Sequence, residues 1–162
     1  MESQPAPTIL IVEDDPIWQT NLQILCEAAG YQVIVTPDAS AALHQSELLQ
    51  PPPLLALVDL ELLSSAVQPS PYEDGFEVLT ALREHGLYVV VVSGHIHEVR
   101  AALVGRPEIR ALVDKDHFRR SGFAEGPFLT TLRTAIAFAE AAQRAEGQSP
   151  TQQARLYNTP TQ

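Results

Sequence analysis

The 162-residue chain carries 20 acidic and 10 basic residues, a net charge of −10, and 45% of it is hydrophobic. That length and apolar share predict one domain with its own core, burying roughly 70% of its unfolded surface, and the acidic balance excludes nucleic acid as the main partner, because neutralising phosphates needs a basic face. A lone Cys26 excludes an internal disulfide framework and a four-cysteine zinc site; with no secretory leader pattern and no apolar run of about 18 residues, the expectation is a soluble, cytoplasmic protein with no membrane partner.

Residues 1–7 read as a polar, proline-containing lead-in. Thr8–Val12 is apolar and β-branched, a first strand, and it runs into three acids, Glu13, Asp14 and Asp15. Pro16 fits the first turn of a helix with Asp15 as N-cap. That helix extends to about Ala29, with Trp18, Leu22, Leu25 and Ala29 on one stripe and Gly30 as its stop. Cys26 falls within this pattern and reads as a small buried hydrophobe. A second strand covers about 31–36 and a second helix 38–49, offering Ala39, Ala42, Leu43 and Leu49 for packing. Pro51-Pro52-Pro53 ends it. Leu54–Val58 is a short apolar run ending in Asp59, which suits a strand buried on both faces, although a helical segment fits the periodicity as well.

A long connection, 60–74, precedes a third helix starting near Gly75. Connections of this length in compact domains are uncommon and tend to be functional or mobile. A fourth strand (88–93) ends in Ser93-Gly94, a helix follows near 96–104, and a fifth strand (109–114) ends in Lys115, the one lysine of the chain. The stretch 116–126 reads as irregular. The last helix, 128–145, places Leu129, Leu132, Ile136 and Ala139 on one face, and the Gln-, Thr- and Pro-rich remainder (146–162) reads as a disordered polar tail. The alternation implies an α/β three-layer sandwich around a five-stranded parallel sheet of order 2-1-3-4-5, with one folded domain over 8–145.

In such a sheet, chemistry sits beyond the carboxyl ends of the strands. Those ends bring together Glu13, Asp14, Asp59, Ser93 and Lys115. Converging carboxylates do not ionise comfortably without a cation, and hard oxygen ligands suit Mg²⁺. With a phosphodonor present, Asp59 is a candidate carboxylate nucleophile, and Lys115 and Ser93 are candidates to neutralise the phosphoryl oxygens. Bland alternatives stand beside each: helix N-terminal acids for 13–15, a loop acid for Asp59, a turn hydroxyl for Ser93, a surface lysine for Lys115.

The set ILIVEDDP (9–16), LLALVDLEL (54–62), DGFEVLTALR (74–83), VVVVSG (89–94) and LVDK (112–115) resembles the receiver domain of two-component response regulators, in a single-domain, chemotaxis-regulator-like form. The resemblance implies the flavodoxin-like (βα)5 fold. It implies Asp59 as phosphoacceptor, and Mg²⁺ held by Glu13, Asp14, Asp59 and the backbone carbonyl of Glu61. It also implies Ser93 as the switch hydroxyl and Lys115 as the phosphate-binding lysine. The expected partners are a sensor histidine kinase or phosphotransfer protein as donor and a downstream protein as target, with homodimerisation through the last helix open. Such a protein phosphorylates itself and slowly loses the phosphate, without turnover of an external substrate.

Several residues depart from the family. The segment from Asp59 to Gly75 is about twice the usual length. Leu112 stands where an aromatic switch is common, and Asp116 where a cis-bonding proline follows the lysine. The loop to the last helix is lengthened by 119–126. His95 and Glu61 occupy positions that tend to tune dephosphorylation. Trp18 reads as a core residue able to report metal or phosphate optically. A phosphate-independent, receiver-like binding scaffold is the second reading, and a Mg²⁺-dependent phosphatase using Glu61 as general acid the third.

Overall fold

The structure, a computed structural model, describes residues 5–61, 73–121 and 125–147. Five strands, β1 (Thr8–Val12), β2 (Gln32–Thr36), β3 (Leu55–Val58), β4 (Tyr88–Ser93) and β5 (Ile109–Asp114), alternate with helices. They pair in parallel in the order β2-β1-β3-β4-β5, as the strand–helix alternation predicts. The helices are α1 (Pro16–Ala28), α2 (Ala39–Leu48), α3 (Glu73–Glu84), α4 (Ile96–Leu103), α5 (Lys115–Arg120) and α6 (Glu125–Gly147).

The period-two geometry of the strands sorts their side chains into two cores. Ile9, Ile11, Leu55, Leu57, Val90 and Val92 face one side, where Trp18, Leu22 and Cys26 of α1 and Leu132, Ile136 and Ala139 of α6 cover them. Leu10, Val12, Ala56, Val58, Val89 and Val91 face the other, against Ala42 of α2, Val78, Leu79 and Leu82 of α3, and Ile96, Val99 and Leu103 of α4. Because both faces are covered, β3 is fully buried, which is why it reads as an unbroken apolar run.

Local chemistry sets the helix ends. Asp15 caps α1, its Oδ1 accepting from the N–H groups of Ile17 (2.8 Å) and Trp18 (3.3 Å), with Pro16 in the first turn. Asp38 caps α2 by accepting from Ala41 N–H at 2.8 Å. In α2 the buried pair is Ala42 and Ser46, and the Ser46 hydroxyl is satisfied by donating to Leu43 O at 2.8 Å. Near the start of α3, an added Cβ on Gly75 would lie 2.6 Å from the carbonyl oxygen of Leu60, so the residue following Asp59 and the α3 N-terminus approach too closely for any side chain.

The stretch after β5 is not irregular. Lys115–Arg120 forms the short helix α5, capped by Asp114, whose Oδ1 accepts from Asp116 N–H (2.9 Å) and His117 N–H (3.3 Å). Only Phe118 in KDHFRR is a large apolar residue, so the helix carries no hydrophobic period to read. The last helix extends over Glu125–Gly147, beyond 128–145 at both ends. The central part of the 60–74 connection, residues 122–124, and 148–162, where the sequence suggests a tail, lie outside the described residues. No helix among the described residues is long and apolar enough to cross a membrane.

Candidate phosphoacceptor site

The parallel register carries the chemistry-bearing residues to one edge. Val12 pairs with Val58, so Glu13 and Asp59 leave neighbouring strands side by side. Glu13 N–H donates to Thr36 O (3.0 Å) and Asp59 N–H to Val12 O (2.9 Å), which extends the ladder through both acids. Ser93 pairs with Asp114, and Lys115 follows as the first residue of α5.

Glu13 (1% exposed) and Asp59 (4%) are buried, and Asp14 is half-buried beside them. Ligand oxygens of these three carboxylates lie within 4.8 Å of one another. Lys115 reaches across: its Nζ is 2.6 Å from Glu13 Oε2 and donates a hydrogen bond to Asp59 Oδ2 at 2.8 Å. Asp59 Oδ1 accepts from the Glu61 N–H at 2.9 Å. Glu13 Oε1 accepts from Asp15 N–H (3.0 Å), and its carbonyl accepts from Gln19 Nε2 (2.6 Å). Among the described residues, Glu13 Oε2 is met by the Lys115 ammonium alone.

Two carboxylates and one ammonium leave the buried centre one negative charge in excess when all are ionised, and the electrostatics show it. Burial, with the neighbouring Asp59 carboxylate adding to it, pushes the Glu13 carboxyl up to about 8. Burial opposes the charge on Lys115, but the carboxylates of Asp59 and Glu13 outweigh it and hold the ammonium above its ordinary range. Three clustered carboxylates, with a single ammonium between two of them, make a set of hard oxygen ligands that fits a small divalent cation such as Mg²⁺.

On the far side, Ser93 is fully buried; its Oγ donates to Glu61 Oε1 (3.3 Å) and accepts from His95 N–H (3.1 Å). The His95 ring lies between two carboxylates, with Nε2 3.5 Å from Glu61 and Nδ1 3.3 Å from Glu98. The hydrogen bond to Glu98, then the charge of Glu61, raises its pKa above the usual histidine range. His95 is thus the half-exposed N-cap residue of α4, and its ring touches Glu61.

An open depression of about 820 Å³ lies over these groups. Trp18, 4% exposed, forms part of its wall, and Lys115 Nζ sits 5.0 Å from the centre of its ring. Arg119, on α5, also borders the depression and lies 5.8 Å from the same ring. Sequence reading did not single out Gln19, Asp114 or Arg119 as site residues. The Asp114 cap was legible as an aspartate directly after an apolar strand; the other two become visible only once the helices are docked. Leu112 packs among the α4-side core residues, so no aromatic ring stands at that position. Gln50–Pro51 is the cis peptide bond recorded among the described residues; the Lys115–Asp116 bond is not cis.

The chain matches the response regulator receiver domain family over residues 9–120. Among solved structures it is similar to a sensor protein from Polaromonas sp. JS666, at 27% identity over 83% of this chain and 99% of that one, with a TM-score of 0.65. A CheY-like response regulator receiver domain protein from Methanospirillum hungatei JF-1 shares the fold at 21% identity, covering 85% and 98% of the two chains, with a TM-score of 0.67. So does a Thermotoga maritima response regulator protein in complex with Mg²⁺ and BeF, at 17% identity over 80% and 98%, with a TM-score of 0.62. With the flavodoxin-like strand order and the acidic centre, these findings mean that the chain belongs to the receiver domain family of response regulators.

Proposed function

We propose that this receiver accepts a phosphoryl group on Asp59 and signals through protein–protein contacts in a two-component phosphorelay. The observation that carries the reading is the single ammonium of Lys115 held between Glu13 (2.6 Å) and Asp59 (2.8 Å), with Asp14 completing a three-carboxylate set. In this reading Glu13, Asp14, Asp59 and the Glu61 backbone carbonyl hold Mg²⁺. When bound, the ion neutralises phosphoryl oxygens and the excess carboxylate charge.

An Asp59 carboxylate oxygen forms the new bond to phosphorus while the bond from phosphorus to the donor breaks, and the donor leaves with its electron pair. Lys115, already oriented by Asp59 Oδ2, shifts its hydrogen bond to a phosphoryl oxygen. Ser93 spends its one O–H on Glu61 at 3.3 Å, so binding the phosphoryl group requires that bond to be given up. Release of Glu61 and His95 from Ser93 then changes the α4 N-terminus, coupling the acceptor to a partner-binding surface. The donor is a histidine kinase or phosphotransfer protein, the setting cytoplasmic, and the chain turns over no external substrate.

Incubation with Mg²⁺ and acetyl phosphate, followed by intact-mass spectrometry, tests this reading. One phosphoryl adduct on the native chain, absent from Asp59→Asn and absent without Mg²⁺, is expected. A second reading, a scaffold that binds its partner without phosphate, is favoured by Leu112 at the aromatic position. Absence of both an adduct and Mg²⁺ binding would favour it instead, whereas Mg²⁺ binding without an adduct calls for a histidine kinase as donor.

A further inference from the structure

The family's shared residues do not account for Arg119. It stands on α5, a helix that begins at Lys115 itself, and four residues along an α-helix return to the same face. Both side chains lie beside the Trp18 indole, Lys115 Nζ at 5.0 Å and Arg119 Cζ at 5.8 Å from the ring centre. Their surroundings differ. Lys115 is 9% exposed and committed to Glu13 and Asp59, whereas the Arg119 side chain is 59% exposed, and its recorded ion pair is a loose one with Asp116 at 3.8 Å.

An incoming phosphodonor is a dianion, and the depression it must enter is bordered by Asp14, Asp15, Asp59, Glu61 and Asp116. In a chain of net charge −10 this rim repels the donor. A guanidinium at the mouth, stacked near an aromatic face and forked to meet phosphate oxygens, counters that repulsion.

We propose that Arg119 is a donor-binding residue, receiving the phosphoryl dianion at the rim before it reaches Asp59, and that Asp116 competes for it. The inference rests on the phosphoacceptor reading above and adds to it a binding step outside the shared residue set. Arg119 acts on capture of the donor rather than on the reacting atoms, so its removal alters the half-saturating donor concentration more than the maximal rate. The exposed geometry sets the size, roughly 1.5- to fivefold.

The test measures Asp59 phosphorylation rates in the full chain against donor concentration, with acetyl phosphate as the acyl phosphate and phosphoramidate as the P–N analogue of phosphohistidine. Arg119→Ala is expected to raise the half-saturating concentration of both donors, Arg119→Lys to restore part of it, and Asp116→Asn to lower it. A purely structural pair would move Arg119→Ala and Asp116→Asn in the same direction, which would overturn the inference. So would unchanged values in Arg119→Ala, or an effect with acetyl phosphate alone, because the shared dianion would then not be the group recognised. No adduct on the native chain with either small donor would overturn this inference alone; no adduct from a histidine kinase as well would overturn the phosphoacceptor reading with it.

Discussion

The two sides of the depression are built by different means. On the β1–β3 side, Glu13 and Asp59 are extensions of the sheet, their N–H groups bonded to Thr36 and Val12 at 3.0 and 2.9 Å. Their side chains are almost fully buried, and main-chain geometry aims them. On the other side, Glu61 from the segment after β3 and His95, Asp116 and Arg119 past the ends of β4 and β5 are partly exposed, linked by side-chain contacts of 3.3 to 3.8 Å. The first side is held rigid by the sheet, as the proposed binding of one ion and one phosphoryl group requires. The second side is adjustable.

The sharpest way to break this contrast is to remove the one cation that the rigid side depends on. Lys115→Ala leaves Glu13 and Asp59 buried together without their counter-charge, and losing one partner of such a buried set costs about 3–5 kcal/mol. Urea unfolding in the absence of metal should show that loss, with Mg²⁺ restoring part of it. A smaller effect tests the backbone frame. Gly75→Ala drives a methyl against the Leu60 carbonyl, 2.6 Å away, and is expected to cost about 1–3 kcal/mol and to slow phosphorylation by displacing the segment after Asp59. Urea unfolding and adduct formation rates measure the two consequences.

Protonation sharpens the comparison further. The Glu13 carboxyl is pushed from 4.5 up to about 8, so between those values the folded chain keeps a proton that the unfolded chain has released. Stability of the metal-free protein therefore falls as pH rises from about 5 to 8, and Glu13→Gln should flatten that dependence in thermal melts. The smallest effect belongs to Cys26, far from either side of the depression. It is fully buried, and burial pushes its thiol up to about 12. Alkylation by iodoacetamide at neutral pH should leave the native chain unmodified and label it only after unfolding.

Much of this architecture was legible because burial on both faces of a parallel sheet leaves its mark on sequence. ILIV, LALV and VVVV are continuous apolar runs for that reason, and the residue ending each run falls at the same edge. Asp15 was readable as a cap because aspartate accepts from the first free N–H groups of a helix, and Asp38, which the sequence places at the start of the second helix, caps it in the same way. The helix α5 was not readable, since six residues with one large apolar side chain show no period. The Lys115 bridge depends on β1, β3 and β5 meeting in space, and no local pattern encodes the 2.6 and 2.8 Å contacts. The engagement of Ser93 by Glu61, from the end of β4 to the segment after β3, escaped for the same reason.

The central claim is that Asp59, and no other carboxylate of the cluster, receives the phosphoryl group. The most direct test is borohydride reduction of the phosphorylated chain followed by peptide mapping, because an acyl phosphate is reduced to the alcohol at the acceptor position. The account predicts reduction at position 59 alone, and only after treatment with donor and Mg²⁺. Reduction at Glu13 or Asp14 instead, or a stable phosphate mapped to His95, would contradict it.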